Sequence, residues 1–449
     1  MAINLRQSST SPNISDSNLV FAVTSNSSSA DQFRFVCDIN DDSGTLLQRV
    51  KQQPNPNDTG VFDLGMLIST YLGPTDPVWD IANVTANTSC SQDYQIRFGE
   101  EFSDSVTGFT TLYTGDDPDA AGNPNVSGSN YTTILNGVLN PEDQVNWNWN
   151  SGSKYEEEST DGLTTFTHQF GLTSFDTQSV YDTDYGTISF LNGNAGAPPK
   201  LTEAQNVYAA LYKQYDVTGS LLSTSTIYNE TIYNNPLTEQ WVNVYLSQSQ
   251  ATRLAHFPSG PQNMVDAGIT LDANLDYYTI SFVPQATDGS PSDIATWGLY
   301  TFNIGDCSGF TPQRFAWKNI YGVWDYYNFI KANNRTSTIQ RKEYTQTFVN
   351  YSTTGNTVPY DQTRRGRNNH YNDVTKQRQA NSDWLTQTDA DNLRELFYSA
   401  DVYYYEDSYG WIPVVISDAS ITERTNDLSQ KTFQYAVNYE YAVGQYSRQ

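Results

Sequence analysis

The sequence predicts a mostly β, multi-domain chain of antiparallel β-sandwich-like modules with few short helices, on three observations. The first is composition: 32 Tyr, 20 Phe and 9 Trp accompany only 16% charged residues and 3 Met, and aromatic side chains fit a pleated, half-buried surface. The second is pattern, since short apolar or alternating runs recur between turn formers at a spacing too close for parallel α/β units. The third is that only one segment reads as a helix with a start signal. At 449 residues the chain has room for three domains of roughly 150 residues each. The expected division is an N-terminal β domain over 1–120, a central β domain over 121–313 opening on a long polar loop, and a β-rich C-terminal domain over 314–449 with one short helix at 386–398.

Taken in order, NLVFAVT (18–24) and QFRFVCDI (32–39) are strand-like, and the second leads through NDDSG into TLLQRVKQ as a hairpin. PNPNDTG (54–60) is a turn, and VFDLGMLISTYL (61–72) fits helix or strand equally. The polar zone 103–160, with GDDPDAAGNPNVSGSN at its centre, reads as an exposed loop or joint. Strands resume with LTTFTHQFGL, YGTISFLNG, NVYAALYKQYDVTGSLLSTSTIYNETIY, YYTISFVPQ and WGLYTFNIG. FAWKNIYGVWDYYNF (315–329) reads as a strand, a tight turn near Gly322 and a second strand. TQTDADNLRELF (386–397) is the helix, with Thr388 as cap, Asp391 three residues on, and Ala390, Leu393 and Leu396 at helical spacing. VYYYE, DSYG and WIPVVIS form a hairpin with Pro413 on an edge or at a bulge. The terminal FQYAVNYEYAV alternates strictly, placing Phe433, Tyr435, Val437, Tyr439 and Tyr441 on one face.

The formal charge of −26 is unevenly spread. Residues 1–313 hold 9 basic against 35 acidic residues, residues 314–378 hold 11 against 4, and residues 379–449 hold 4 against 11. An acidic bulk argues against nucleic acid as the main partner, because a phosphate binder needs a basic face. The opening MAINLRQSSTSPNISDSNLV lacks the basic region and apolar run of a secretory signal, and no later window reaches about eighteen apolar residues. The expectation is a chain with neither signal segment nor membrane span.

Catalytic and metal motifs fail on inspection of their chemistry. Cys37, Cys90 and Cys307 are far apart and odd in number, which argues against a disulfide framework and leaves room for one bridge. His168, His256 and His370 are isolated from other ligands, against a structural zinc site. DINDDSG (38–44) begins like a calcium loop but has Ser43 for the glycine and Arg49 for the bidentate glutamate. The acidic runs at 156–158, Asp182/Asp184 and Glu406/Asp407 lie in polar loops, whereas a glycosidase needs two carboxyls facing each other across a sugar. Ser259 lies near His256, but in the turn FPSGPQN. No catalytic, cofactor-binding or metal residue is assigned, and the reading is non-enzymatic.

Two features point to contact. The basic zone contains Arg335, Arg341 and Lys342, then RRGRNNHYNDVTKQR (364–378) with Arg364, Arg365 and Arg367. It reads as a phosphate strip, as a docking surface for an acidic neighbour, or as a solvated loop. The stretch 315–329 carries seven rings; half are expected in a core, and the others, with Trp317, Trp324 and Tyr326 as candidates, at an interface of the kind rich in Tyr and Trp.

The segments RFAWKNIYGVWDYYNF, YYTISFV, HFPSGPQN, LRELFYSADVYYY, WIPVVISDAS and FQYAVNYEYA, together with FRFVCDINDDSGTLLQRVKQQPNPNDTGVFDLGMLISTYL, resemble virion structural proteins of tailed bacteriophages of Bacteroidetes hosts, crAss-like phages included. The resemblance implies a structural subunit of the virion, in the tail or the neck and tail-tip assembly, made in the host cytoplasm. Its partners would be other copies of itself and other virion proteins, and the family brings no cofactor and no catalytic residue to carry over. A second reading is a module that binds host-surface glycan, since exposed Tyr and Trp also stack on sugar rings.

Overall fold

The computed structural model describes residues 3–7, 13–16, 19–41, 44–73, 79–82, 85–87, 91–104, 108–113, 131–138, 171–173, 175–191, 208–226, 233–234, 240–244, 254–284, 298–305, 309–346, 354–355, 366–418 and 434–442. Among them the chain is mostly β. In chain order the strands are β1 (Ile3–Gln7), β2 (Asn13–Asp16), β3 (Val20–Ser25), β4 (Arg34–Asn40), β5 (Leu46–Gln52), β6 (Thr59–Asp63), β7 (Thr85–Asn87), β8 (Ser91–Asp104), β9 (Gly108–Tyr113), β10 (Tyr131–Val138), β11 (Thr177–Val180), β12 (Thr187–Leu191) and β13 (Tyr208–Tyr215). There follow β14 (Leu221–Thr226), β15 (Tyr233–Asn234), β16 (Gln240–Val244), β17 (Leu254–Pro258), β18 (Tyr277–Pro284), β19 (Gly298–Ile304), β20 (Gln313–Lys318), β21 (Trp324–Phe329), β22 (Asn334–Thr345), β23 (Arg367–Asn381), β24 (Val402–Glu406), β25 (Gly410–Ile416) and β26 (Ala436–Tyr441). The helices are α1 (Gly65–Ser69), α2 (Pro261–Asp266) and α3 (Gln387–Tyr398).

The chain forms two compact units where three domains were expected. The first is Met1–Gly305 with Trp317–Tyr326, and the second is Asp306–Ala316 with Tyr327–Gln449. The expected division near residue 120 disappears because backbone pairing crosses it. β7 joins β17 and β12 in one three-stranded sheet, and the Asn263 amide donates to the carbonyl of Ile81 (2.8 Å).

Three further sheets build the first unit: β1-β3-β6, then β2-β10-β8-β4-β5 with β9 on β8, then β11-β19-β18-β13-β16-β15 with β14 on β13. Pairing is antiparallel apart from β2 with β10 and β11 with β19. The hairpin expected from 32–52 is β4–β5, closed by the Asp41–Thr45 turn with Gly44 at φ +83°. The ambiguous run 61–72 is divided, its start completing β6 and its middle forming α1. The zone expected to be a loop from 103 holds β9 and β10 instead, while its polar centre lies outside the described residues. Cores form where strand faces meet: Phe21, Phe35, Phe62 and Phe98 in one cluster, Tyr212, Tyr278, Tyr300 and Phe302 in another.

The turn of 315–329 is held by side chain and backbone together. The Asn319 N–H donates to the Val323 carbonyl (2.9 Å), and its side-chain oxygen accepts from the N–H of Tyr321 (3.0 Å). The Asn319 amide donates to the Leu172 carbonyl (2.7 Å) and to Asp325 (3.0 Å). Gly322 sits at φ +78°, where a Cβ would lie 1.7 Å from the Asn136 carbonyl oxygen. Only glycine satisfies both demands.

The second unit takes its core from Phe315, Tyr404 and Tyr439, whose rings meet at 5.0–5.5 Å, in a sheet ordered β21-β20-β24-β25-β26-β23-β22. The terminal alternation is realised: Tyr435, Val437 and Tyr439 are buried in and beside β26, and Phe433 lies outside the described residues. Pro413 occupies neither an edge nor a bulge. β25 has β24 on one side and β26 on the other, and the β26 ladder begins at Val414, so the missing N–H falls where that ladder stops. The helix cap also moves. Thr386 closes a capping box with Asp389, because the Thr-x-x-Asp spacing occurs twice in TQTDAD and the earlier copy follows a buried Leu385.

Candidate functional site

β22 and β23 form a hairpin that runs past the sheet. β23 pairs with β26 only over Gln377–Asn381, whereas β22 pairs with β23 from Asn334 back to Arg367. All 12 residues of β22 are exposed. The basic zone, for which a loop was one reading, is thus largely a two-stranded arm. The tip from 347 to 365, apart from residues 354–355, lies outside the described residues, and Arg364 and Arg365 with it.

Register decides which side chains share a face, since directly opposed residues project to the same side and alternate residues to opposite sides. Arg335 stands opposite Arg378, Ser337 opposite Lys376, Ile339 opposite Val374 and Arg341 opposite Asn372. One face therefore collects Arg335, Arg341, Lys376 and Arg378 around Ile339 and Val374. The register slips at Lys342/Glu343, passing over His370, and beyond it Arg367 pairs with Glu343. The other face is Asn, Thr and Gln with Asp373 and Lys342, whose ammonium lies 5.0 Å from the Tyr371 ring centroid. A hydrogen bond with Tyr371 raises the Lys342 pKa, keeping it charged.

At the base of the arm, Arg378 lies 4.5 Å from the Tyr441 ring centroid, 5.8 Å from that of Tyr404 and 3.5 Å from Glu406. The Tyr441 hydroxyl donates to the same carboxylate. Burial raises the pKa values of Tyr439 and Tyr441, so both present neutral hydroxyls. Further out, Arg341 and Lys376 are exposed with no ion-pair partner among the described residues.

Arg335, Arg341, Lys342 and Arg367 are exposed on the arm. Trp317, Trp324 and Tyr326 are not interface rings: they are 0%, 2% and 2% exposed. Trp317 meets Phe175 edge-on (5.9 Å), Trp324 meets Trp79 (5.5 Å), and the Tyr326 hydroxyl bonds Thr187 (2.8 Å). Six of the seven rings of 315–329 are buried, and Phe175, Trp79 and Thr187, distant in sequence, pack against three of them.

The residues weighed for catalysis serve packing. His256 is fully buried, bonds Ser189 across the β12–β17 register (2.7 Å), and has its pKa lowered by burial to about 4. The Ser259 carbonyl accepts from Tyr278 (2.7 Å), and the Asp184 carboxylate closes a turn on the Tyr181 N–H (2.8 Å). Among the described residues no three His, Cys, Asp or Glu side chains gather to hold a metal, and no helix is long and apolar enough to cross a membrane. Lys376 and Arg378 complete the basic face, and sequence reasoning did not set them beside Arg335 and Arg341. The signal was present in the period-two spacing of Arg335, Ser337, Ile339 and Arg341 and of Val374, Lys376 and Arg378. Comparison with protein-family models and with curated proteins finds no match to this chain.

Proposed function

We propose that the chain is a non-enzymatic structural subunit of a tailed-phage virion, in the tail or the neck and tail-tip assembly, that works by holding neighbouring subunits. The observation that carries this reading is the arm: a long exposed hairpin with one cationic face, on a chain whose net charge is −26. A protruding two-stranded ribbon is marginal by itself and gains stability when a neighbour covers it. An acidic neighbour would satisfy its charge. Sequence resemblance supplies the virion context.

Mass spectrometry of purified particles tests the context, and absence of the chain from them rules it out. Charge reversal at Arg364, Arg365 and Arg367 tests the arm, with impaired particle assembly as the expected result. The exposed rings of Trp384 (63%) and Tyr409 (78%) favour one second reading, a glycan-binding module of the particle. Saturable binding of the full chain on a glycan array would select it.

A further inference from the structure

Among the described residues the first unit carries a counterpart to the basic arm. Val180, Tyr215, Tyr277 and Ile304 end or begin adjacent strands at one end of the β11-β19-β18-β13 array. Backbone bonds from Asp276 to Tyr215, Ile304 to Asp276 and Gly305 to Val180 draw that end together. Its connections are YDTDYG (181–186), DVTGS (216–220) and DAGITLDANLD (266–276), which contain acids and no lysine or arginine. Asp182, Asp266 and Asp276 are exposed, and Asp216 and Asp272 half-buried. The Asp216 carboxylate is held ionised, its pKa lowered by bonds from Thr218 and Ser220.

We infer that the cationic face of the β22–β23 arm docks on this acidic sheet end of a second copy of the chain. Charge complementarity selects the occupant: one surface offers Arg335, Arg341 and Lys376, the other five aspartates, and every copy carries both. Pairing of two arms is disfavoured, because β22 against β22 across a twofold centred on Thr338 would set each Arg335 opposite the other copy's Arg341, and like charges directly opposed destabilise a ladder. Two different surfaces in contact make a heterologous interface, which closes into a ring or propagates. The inference rests on the subunit reading above only in taking the chain to self-assemble.

The test uses the purified full chain in sedimentation velocity. Self-association is expected at about 0.1 M salt and is lost near 1 M, as the Debye length falls from about 10 to 3 Å. Arg341→Glu with Lys376→Glu, or Asp182→Lys with Asp276→Lys, weakens association by about tenfold or more; mixing the two variants restores it. Among the described residues none of these four side chains bonds a neighbour in the fold, and unchanged circular dichroism checks folding. Independently of variants, carbodiimide treatment of mixed light and heavy-isotope copies should join Lys376 of one to Asp182 or Asp276 of another. A chain that stays monomeric at low salt, association indifferent to either reversal, or a mixture that fails to reassociate overturns the inference. Absence from purified particles removes the virion context while leaving this contact standing, so the two failures are distinguishable.

Discussion

Arg335 and Arg378 stand directly opposite each other across β22 and β23, and among the described residues an acid pairs with only one of them. Arg378, its side chain 11% exposed, has Glu406 at 3.5 Å and two tyrosine faces. This cluster anchors the arm, whereas Arg335 is exposed. Glu406→Ala leaves a largely buried guanidinium without its carboxylate, and urea unfolding should show a loss of about 1–3 kcal/mol. Arg335→Ala is expected to stay within about 0.5 kcal/mol. Equal losses from the two would show that the anchor is misassigned.

His256 imposes a pH dependence. Its folded pKa of about 4 lies below the model-peptide value of 6.5, so between those values the unfolded chain binds a proton that the folded chain refuses. Stability therefore rises with pH across this window and is level, for this group, above it. The contribution lost on going from neutral pH to about pH 4 is up to about 3 kcal/mol. His256→Gln should flatten the pH dependence of the urea midpoint by that amount, and an unaltered slope would exclude the buried neutral imidazole.

The capping assignment separates two neighbouring threonines. Thr386→Ala removes both halves of the capping box and should cost about 1 kcal/mol, while Thr388→Ala, inside α3, should change stability by less than about 0.5 kcal/mol. The reverse order in thermal unfolding would return the cap to Thr388.

Gly322 and Gly44 share a left-handed backbone but differ in surroundings. Nothing lies within 4 Å of a Cβ at Gly44, whereas one at Gly322 would collide with the Asn136 carbonyl. Gly44→Ala should cost about 1–2 kcal/mol, the penalty of that conformation alone. Gly322→Ala adds a backbone clash in a packed interior, about 1–3 kcal/mol or more on top. Similar urea midpoints for the two variants would contradict the close approach.

Local patterns were legible where one periodicity and one neighbour suffice. The β4–β5 hairpin, the turn at Gly322 and the inward face of β26 were all readable, because alternation and turn chemistry are written within a few residues. The arm was read only as charge. One face of its strands sets Arg, Lys, Ser and Asn around Ile339 and Val374 alone and the other is mostly Asn, Thr and Gln, so no apolar period marks them, and their pairing joins residues as far apart as Asn334 and Gln379. The threonine cap was misplaced by two residues because the same spacing occurs twice.

By itself the sequence determined the β class, the acidic bulk with its one basic zone, and the alternation that seats Val437 and Tyr439 in a core. Tertiary structure alone decided that Trp317, Trp324 and Tyr326 are interior, that β7 binds the first hundred residues to the central strands, and that four cations share one face of an arm. The physical reason is range. Backbone preference acts between neighbours in sequence, whereas burial of a ring and the company of a charge depend on which distant strand arrives beside it.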